Sequence, residues 1–487
     1  MRIRSNRRLA ATLAAWALGG CAVGPGYKAP TSSALGVPQS YGVVGSTAAP
    51  IDLSVWWRRF DDPELTALID KATVANLDIA VSRARWVQAR EQLIQARASL
   101  LPTVTGSAGA GRSSVWAPTT TTTIGGVAYS SGGSSGATHL SLGLDATWQA
   151  DVFGGGRRSV EAARASRDAA LFDLAGVRTA VAGEVATNYI DARLAQARLA
   201  IARDALRIQD DNLQIAQWRV QAGLTSATDA LQARAQRAET EASIPLLETS
   251  YASAVNRLGV LTGQAPAALR PELDPGGPVP RGPDAVSVGV PADTLRQRPD
   301  VRAAERNLAA ATARIGVAEA QLYPALTLPG SLTAAVSRLD GPATISGQAF
   351  ANVGQTIFGA GRLRSQLRSA RAGADSAFAA YRQTVLTGLE DVENGIQALN
   401  SAKARQGSLA VAVEASDNAA VLARAQYRVG RTDFLTLLQS EQSRLSTRDS
   451  LAAVQADQAL ALVRLYLALG GGWQAASPTN ANRDSTQ

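Results

Sequence analysis

Phe153-Gly154-Gly155-Gly156-Arg157 separates two kinds of sequence. Before it, Leu140, Leu142, Leu144, Ala146, Trp148, Ala150 and Val152 fall at every second position, with Ser141, Gly143, Asp145, Thr147, Gln149 and Asp151 between them. A period of two is that of a strand with one apolar and one polar face. After it, no proline and hardly any loop composition interrupts the run from Arg157 to Ala222. At 1.5 Å per residue that run makes a helix of roughly 100 Å. The glycines allow the backbone to turn sharply between the two. The signal returns at Phe358-Gly359-Ala360-Gly361-Arg362, followed by another proline-free run to Val429. A strand feeding a ~100 Å helix, twice in one chain, is not the plan of an ordinary globular domain.

The whole chain divides into two halves on one plan. Leu77-Asp78-Ile79 opens a segment that closes at Ser99-Leu100-Leu101-Pro102, and Pro299-Asp300-Val301 opens one that closes at Gln321-Leu322-Tyr323-Pro324. Openings and closings are offset by the same number of residues. After each proline come a strand, a loop, a second strand and the glycine junction. Each long helix then breaks at a glycine, Gly223 in Gln221-Ala222-Gly223-Leu224 and Gly430 in Arg428-Val429-Gly430-Arg431. A return helix follows each break.

The expected layout is therefore as follows. A first repeat covers 63–270, with strands at about 103–112 and 139–152, a long helix at 157–222 and a return helix at 225–262. A Pro- and Gly-rich linker covers 271–291. A second repeat covers 292–473, with strands at 325–336 and 346–357, a long helix at 361–429 and a return helix at 432–469. A helix near 76–99, stacked end to end with that of 225–262, would match the long helix along a common wall. Pro329 predicts irregular pairing in the third strand, and Phe350 is out of phase with Ala351, Val353 and Ile357 in the fourth. The Thr/Gly/Ser-rich segment 113–137 reads as a surface loop. Phe378, Tyr381, Val385, Leu389, Val392, Ile396 and Leu399 step by three or four, a helical packing stripe.

An apolar outside and polar inside over ~10 residues is what a transmembrane barrel strand needs. Four strands cannot close such a barrel, and open edges are not tolerated in lipid. Chains must pool their strands: two copies would give eight, filled by side chains, and three would give twelve and a bore.

Composition narrows the functional classes. Apolar residues make up 46%, with alanine the commonest of them, and aromatics 5%, which suits close-packed helices. The formal charge of +8 comes from arginines scattered at helical spacing among Asp and Glu. Solvated helix faces explain them better than nucleic-acid binding does. One cysteine and one histidine, His139, argue against disulfides, metal sites and most nucleophilic catalysis. Gly154-Gly155-Gly156 lacks the spacing of a phosphate loop. No cofactor and no enzymatic activity is expected.

The N-terminus reads as an export signal over 1–20. Arg2, Arg4, Arg7 and Arg8 precede the apolar core Leu9 to Leu18, too short to span a membrane. Leu18-Gly19-Gly20-Cys21 resembles a lipobox, which makes Cys21 the acylated first residue of the mature chain; Ala22 rather than Asp after it implies sorting to the outer membrane. An extended arm covers 21–62, ending in Trp56-Trp57-Arg58-Arg59-Phe60-Asp61-Asp62-Pro63. Asp62 suits a helix cap and Pro63 a first helical position. The tryptophans read as packing of the arm onto the body rather than a ligand platform. The tail at 474–487 is expected to be disordered.

From Cys21 to Trp473 the chain resembles the outer-membrane efflux proteins, the TolC-like family, in its NodT-type lipoprotein branch. The residues that carry the likeness are Cys21-Ala22-Val23-Gly24-Pro25-Gly26-Tyr27, Trp56-Trp57 with Asp62-Pro63 and Leu65, and above all Leu295-Arg296-Gln297-Arg298-Pro299-Asp300-Val301-Arg302-Ala303-Ala304-Glu305. The last runs on to Ala320-Gln321-Leu322-Tyr323-Pro324. The resemblance implies a mixed α+β membrane protein, mostly helical. It implies a homotrimer whose twelve-stranded barrel in the outer membrane continues into a periplasmic helical barrel. Tips at Gly223 and Gly430, flanked by Arg428 and Arg431, would meet an adaptor protein and an inner-membrane pump, commonly of the resistance–nodulation–division type. It also implies an aperture narrowed at the fifth and ninth positions after Gly430, Leu435 and Gln439. Gln439 departs from the aspartate of many relatives and leaves a neutral ring unless Asp433 compensates. The implied function is passive conduction of what the pump drives. The alternatives are the exit duct of a type I protein-secretion system and a structural periplasmic coiled-coil lipoprotein; the latter accounts for neither the strands nor the duplication.

Overall fold

The computed structural model describes residues 22–38, 40–41, 53–283, 286, 291–336 and 342–473. The expected signal sequence at 1–20, Cys21 and the tail at 474–487 lie outside the described residues. The chain forms two compact units. One comprises residues 1–28, 88–167 and 306–378, and the other 29–87, 168–305 and 379–487.

The first unit is built on an antiparallel sheet. Its strands are β1 (Thr103–Ile124), β2 (Val127–Ala150), β3 (Ala325–Val336), β4 (Thr344–Ala349) and β5 (Asn352–Gly354). The order is β1-β2-β3-β4, with β5 also paired to β3. Segment 113–137 is not a loop. β1 and β2 pair through it up to Ile124 opposite Val127, with one irregularity between Ala117 and Thr120. The reversal is the two-residue turn Gly125-Gly126, with φ of +63° and +84°. Positive φ at both positions matches the twist of a hairpin, and threonine is at home in strands; the polar composition conceals both.

The expected strand at 346–357 is also corrected. It begins at Thr344, breaks after Ala349 and resumes only for Asn352–Gly354. The break lies opposite Pro329. Gly330 pairs with Ala349 and Thr327 with Asn352, so the residues between them have no regular ladder. Pro329 has no N–H to donate; its carbonyl accepts from Phe350 N at 3.0 Å. The out-of-phase phenylalanine therefore occupies the interruption that the proline creates.

The helices are α1 (Pro63–Ala75), α2 (Leu77–Ala98), α3 (Gly155–Gln221), α4 (Ala227–Leu261), α5 (Arg270–Leu273), α6 (Pro291–Gln297), α7 (Pro299–Ala320), α8 (Arg362–Arg428) and α9 (Phe434–Ala468). α3 and α8 each contain 67 residues, roughly 100 Å at helical rise. Asp62 caps α1, accepting from Glu64 N at 3.0 Å and Leu65 N at 2.9 Å.

The second unit holds the main core. Trp56 and Trp57 are buried there, with Phe60, Leu65, Ile69, Tyr189, Leu258, Leu462 and Tyr466. The Trp56 ring stacks on Tyr466 at 5.7 Å. On α8, Tyr381, Val385, Val392, Ile396 and Leu399 are buried; Leu389 is half-buried and Phe378 is exposed at the edge of the stripe.

Candidate functional site

In the first unit the register places Val104, Ala146, Gly330 and Ala349 side by side across the sheet, then Ala108, Leu142, Ala334 and Ile345. The opposite face carries Thr105, Asp145, Ser331 and Gln348, then Ser141. Burial is the reverse of a soluble sheet. Leu142 is 59% exposed, Ile345 73%, and Leu140, Leu144, Leu332 and Val104 are also exposed. Contiguous apolar surface of this kind marks a membrane or protein contact. β1 and β4 are edges, each with a row of unpaired backbone groups. α9 is the described helix long and apolar enough to cross a membrane, but more than half of its apolar window is buried within the fold.

The strand–helix junction closes around Asp151, which the sequence reading did not single out. Its carboxylate accepts from Gly156 N and Arg157 N, both at 2.8 Å, capping α3. Only Gly154 of the three glycines takes a left-handed conformation, φ +80°, while Gly155 and Gly156 already belong to the helix. Their role is close approach. A Cβ at Gly156 would stand 2.5 Å from Leu100 Cδ2, and one at Gly155 2.9 Å from Ala320 Cβ. At the second junction Ala360 and Gly361 have positive φ, and Gly359 does not. The arm reaches the first junction: Val23 N donates to Phe153 O at 3.1 Å, and Arg158 donates to the carbonyls of Val23 and Gly24. Phe153 stacks on Tyr323 at 4.8 Å.

In the second unit the two helical tips are near copies. Gly223 has φ +69° and Gly430 φ +74°. Leu224 N donates to Arg219 O at 2.8 Å, and Arg431 N to Gln426 O at 2.9 Å. Both are the six-to-one bonds with which a left-handed glycine ends a helix. The tips are linked by Arg219, a second residue the sequence reading missed. Its guanidinium lies 4.6 Å from the Tyr427 ring centroid and donates to the Tyr427 carbonyl. Arg428 and Arg431 are exposed.

Beyond the second tip Phe434 and Leu437 are buried, whereas Leu435, 50% exposed, and Gln439 lie outward one turn apart. Asp433 caps α9, accepting from Thr436 N at 2.9 Å; the bonds from Thr436 hold its carboxyl below the usual range. It stays anionic while capping. Further along, Asp417 of α8 accepts from Arg444 Nε at 3.0 Å and Arg448 Nη2 at 2.8 Å, and Arg444 also reaches Asp204 of α3 at 3.4 Å. Among the described residues no cluster of His, Cys, Asp or Glu could hold a metal ion.

One chain thus carries a one-sided sheet with open edges, two long helices and a duplicated helical tip. The family model described as Outer membrane efflux protein matches residues 68–264 and 290–471. The chain belongs to this family. It is 34% identical to Nodulation protein T of Rhizobium leguminosarum bv. viciae over 98% of this chain and 96% of that protein. It is 32% identical to the pyoverdine export outer membrane protein OpmQ of Pseudomonas putida, over 92% and 95%. The solved outer-membrane channel OprN superposes with a TM-score of 0.83 at 34% identity, covering 93% of this chain and all of that one. The efflux protein is thus an outer-membrane channel component of a tripartite pump that extends into the periplasm. Its family is one of channels, not of enzymes.

Proposed function

We propose that three copies of the chain form one conduit. Their sheets, pooled, close a twelve-stranded barrel across the outer membrane, and their helices continue it as a hollow α-barrel through the periplasm. The observation that carries this reading is the exposed apolar face flanked by two unpaired edges. In lipid those edges need partners, and further copies of the same sheet supply them by closed symmetry. The division into signal, arm, two repeats and linker follows the same plan, with Cys21 acylated so that the arm tethers the mature chain to the membrane.

The tips at Gly223 and Gly430, with Arg428 and Arg431, meet the periplasmic adaptor, and through it an inner-membrane pump of the resistance–nodulation–division type. Leu435 and Gln439, repeated around the axis, form the aperture. Transport is passive and without catalysis: the pump supplies the work and most of the selectivity. The cargo is small and organic, drug-like or siderophore-like, as in the relatives named for solvent and pyoverdine export. Deleting the chain from its host tests this. Loss of resistance to small amphipathic compounds, with exported proteins unchanged, is expected; lost protein export with resistance intact makes it a secretion duct instead.

A further inference from the structure

We propose that the first turns of α8 bind the phosphate headgroups of anionic lipids at the membrane face from which this helix leaves the sheet. The proposal rests on the sheet being membrane-embedded. Arg364, Arg368 and Arg371 share one helix face, at i, i+4 and i+7, and Arg362 precedes them. All four are exposed, and none forms a side-chain hydrogen bond or ion pair among the described residues. The first acid on the helix, Asp375, makes none with them. Like charges four apart destabilise a helix, and cations in a first turn oppose its dipole. Among the described residues no carboxylate of the chain offsets these charges at the start of α8.

The first repeat answers the same need internally. At the start of α3, Arg157 pairs with Asp151 at 3.3 Å and Arg158 with Glu161 at 2.7 Å. Aligning Phe153-Gly154 with Phe358-Gly359 puts Thr356 where Asp151 stands, and no acid lies between Gly354 and Arg362. The second junction has an arginine, Arg362, where Arg157 stands but no carboxylate to pair with it, and Arg364, Arg368 and Arg371 fall where the first repeat has Ser159, Ala163 and Ser166.

What stands beside the stripe chooses the occupant. Ile357 is 98% exposed and Phe358 88%. Apolar side chains adjoining unpaired arginines make an interfacial element, the former seeking acyl chains and the latter phosphates. From Arg364 to Arg371 the helix climbs about 10 Å. That is within one headgroup layer, ~5–7 Å deep, plus one screening length of about 8 Å.

The test uses the purified full-length protein in mild detergent, with native mass spectrometry after exposure to phosphatidylglycerol or phosphatidylcholine. Wild type should retain phosphatidylglycerol preferentially. Arg364→Gln/Arg368→Gln/Arg371→Gln should lose the preference by on the order of tenfold or more, and the triple Lys variant should keep it. Half-molar salt should weaken it in the wild type. Planar-bilayer recording of the same samples reports insertion separately. Protein that inserts and conducts but shows no lipid preference overturns this proposal alone, and protein that never inserts overturns the membrane reading beneath it. Unchanged lipid retention with altered ion selectivity in the Gln variant would put the stripe in the bore and refute the lipid site.

Discussion

The Asn76 side-chain amide donates to the carbonyl of Leu261 at 2.9 Å, joining the start of α2 to the end of α4. The same side chain accepts from Asp78 N at 2.9 Å and Ile79 N at 3.1 Å, so one buried residue caps one helix and satisfies the last turn of another. The second repeat reaches the same end by different chemistry: Arg298, just before α7, donates to the Ala468 carbonyl at the end of α9 at 3.0 Å. End to end, helices of 22 and 35 residues run nearly the length of the 67-residue α3.

Asn76→Ala removes a cap and strands the Leu261 carbonyl in a buried setting. A loss of roughly 2–3 kcal/mol is expected, read as a lower midpoint in helical circular dichroism on heating. An unchanged midpoint would show that the joint is held by packing alone.

The two faces of the sheet should respond oppositely to charge. Leu142→Arg places a cation on the lipid side, at about 2–4 kcal/mol if near the midplane, and should abolish recovery in the outer-membrane fraction. Its neighbour Ser141→Arg points to the other face and should leave that yield nearly intact. Equal loss in both variants would contradict the assignment of faces.

At the proposed aperture, Leu435→Ser should raise the resting conductance in planar bilayers, because a ring of leucines there would keep water out of a narrow bore. Gln439→Asp should increase cation preference and sensitivity to divalent block. Two variants that conduct and select like wild type would place the constriction elsewhere.

Asp417 makes acid stability informative. Burial pushes its carboxyl up, but the hydrogen bonds and charges of Arg448 and Arg444 prevail and hold it below the usual range. The unfolded chain then takes up the proton more readily, so the contribution is complete above the ordinary carboxylate value near 3.9. It disappears as pH falls through the lower folded value. Asp417→Asn should cost about 1–3 kcal/mol at pH 7, and the gap to wild type should close below about pH 4. A gap that is constant from pH 7 to pH 3 would mean the charge is not what matters.

Cys21 is testable by mass alone. Mature wild type should begin with an acylated Cys21, and Cys21→Ser should retain its signal or be cut elsewhere, with lower yield but intact assembly. An unmodified peptide spanning Gly20-Cys21 in wild type would disprove the anchor.

Much of this architecture is written locally. Alternation over 140–152, unbroken helical composition after Arg157 and Arg362, and glycines where φ turns positive are all properties of short windows, governed by backbone sterics and side-chain period. The duplication is equally legible, because both copies obey those local rules. Composition misled only where it was ambiguous: threonine, serine and glycine over 113–137 suit a loop as well as a two-stranded ribbon, and the Gly125-Gly126 turn was the signal that could have decided it.

Partnership is another matter. Asn76 meets Leu261 across 185 residues and Arg219 meets Tyr427 across 208. Nothing near Arg219 in the chain distinguishes it from the exposed Arg428 and Arg431, and nothing near Trp56 says that its ring will stack on Tyr466. Local sequence set most of the elements, their order and the one-sided strands, the ribbon at 113–137 and the break after Ala349 excepted, since each depends on neighbours a few residues away. The tertiary structure alone decided which side chains join helix to helix, which arginines find carboxylates and which do not. Those choices depend on distances that exist only once remote segments have packed.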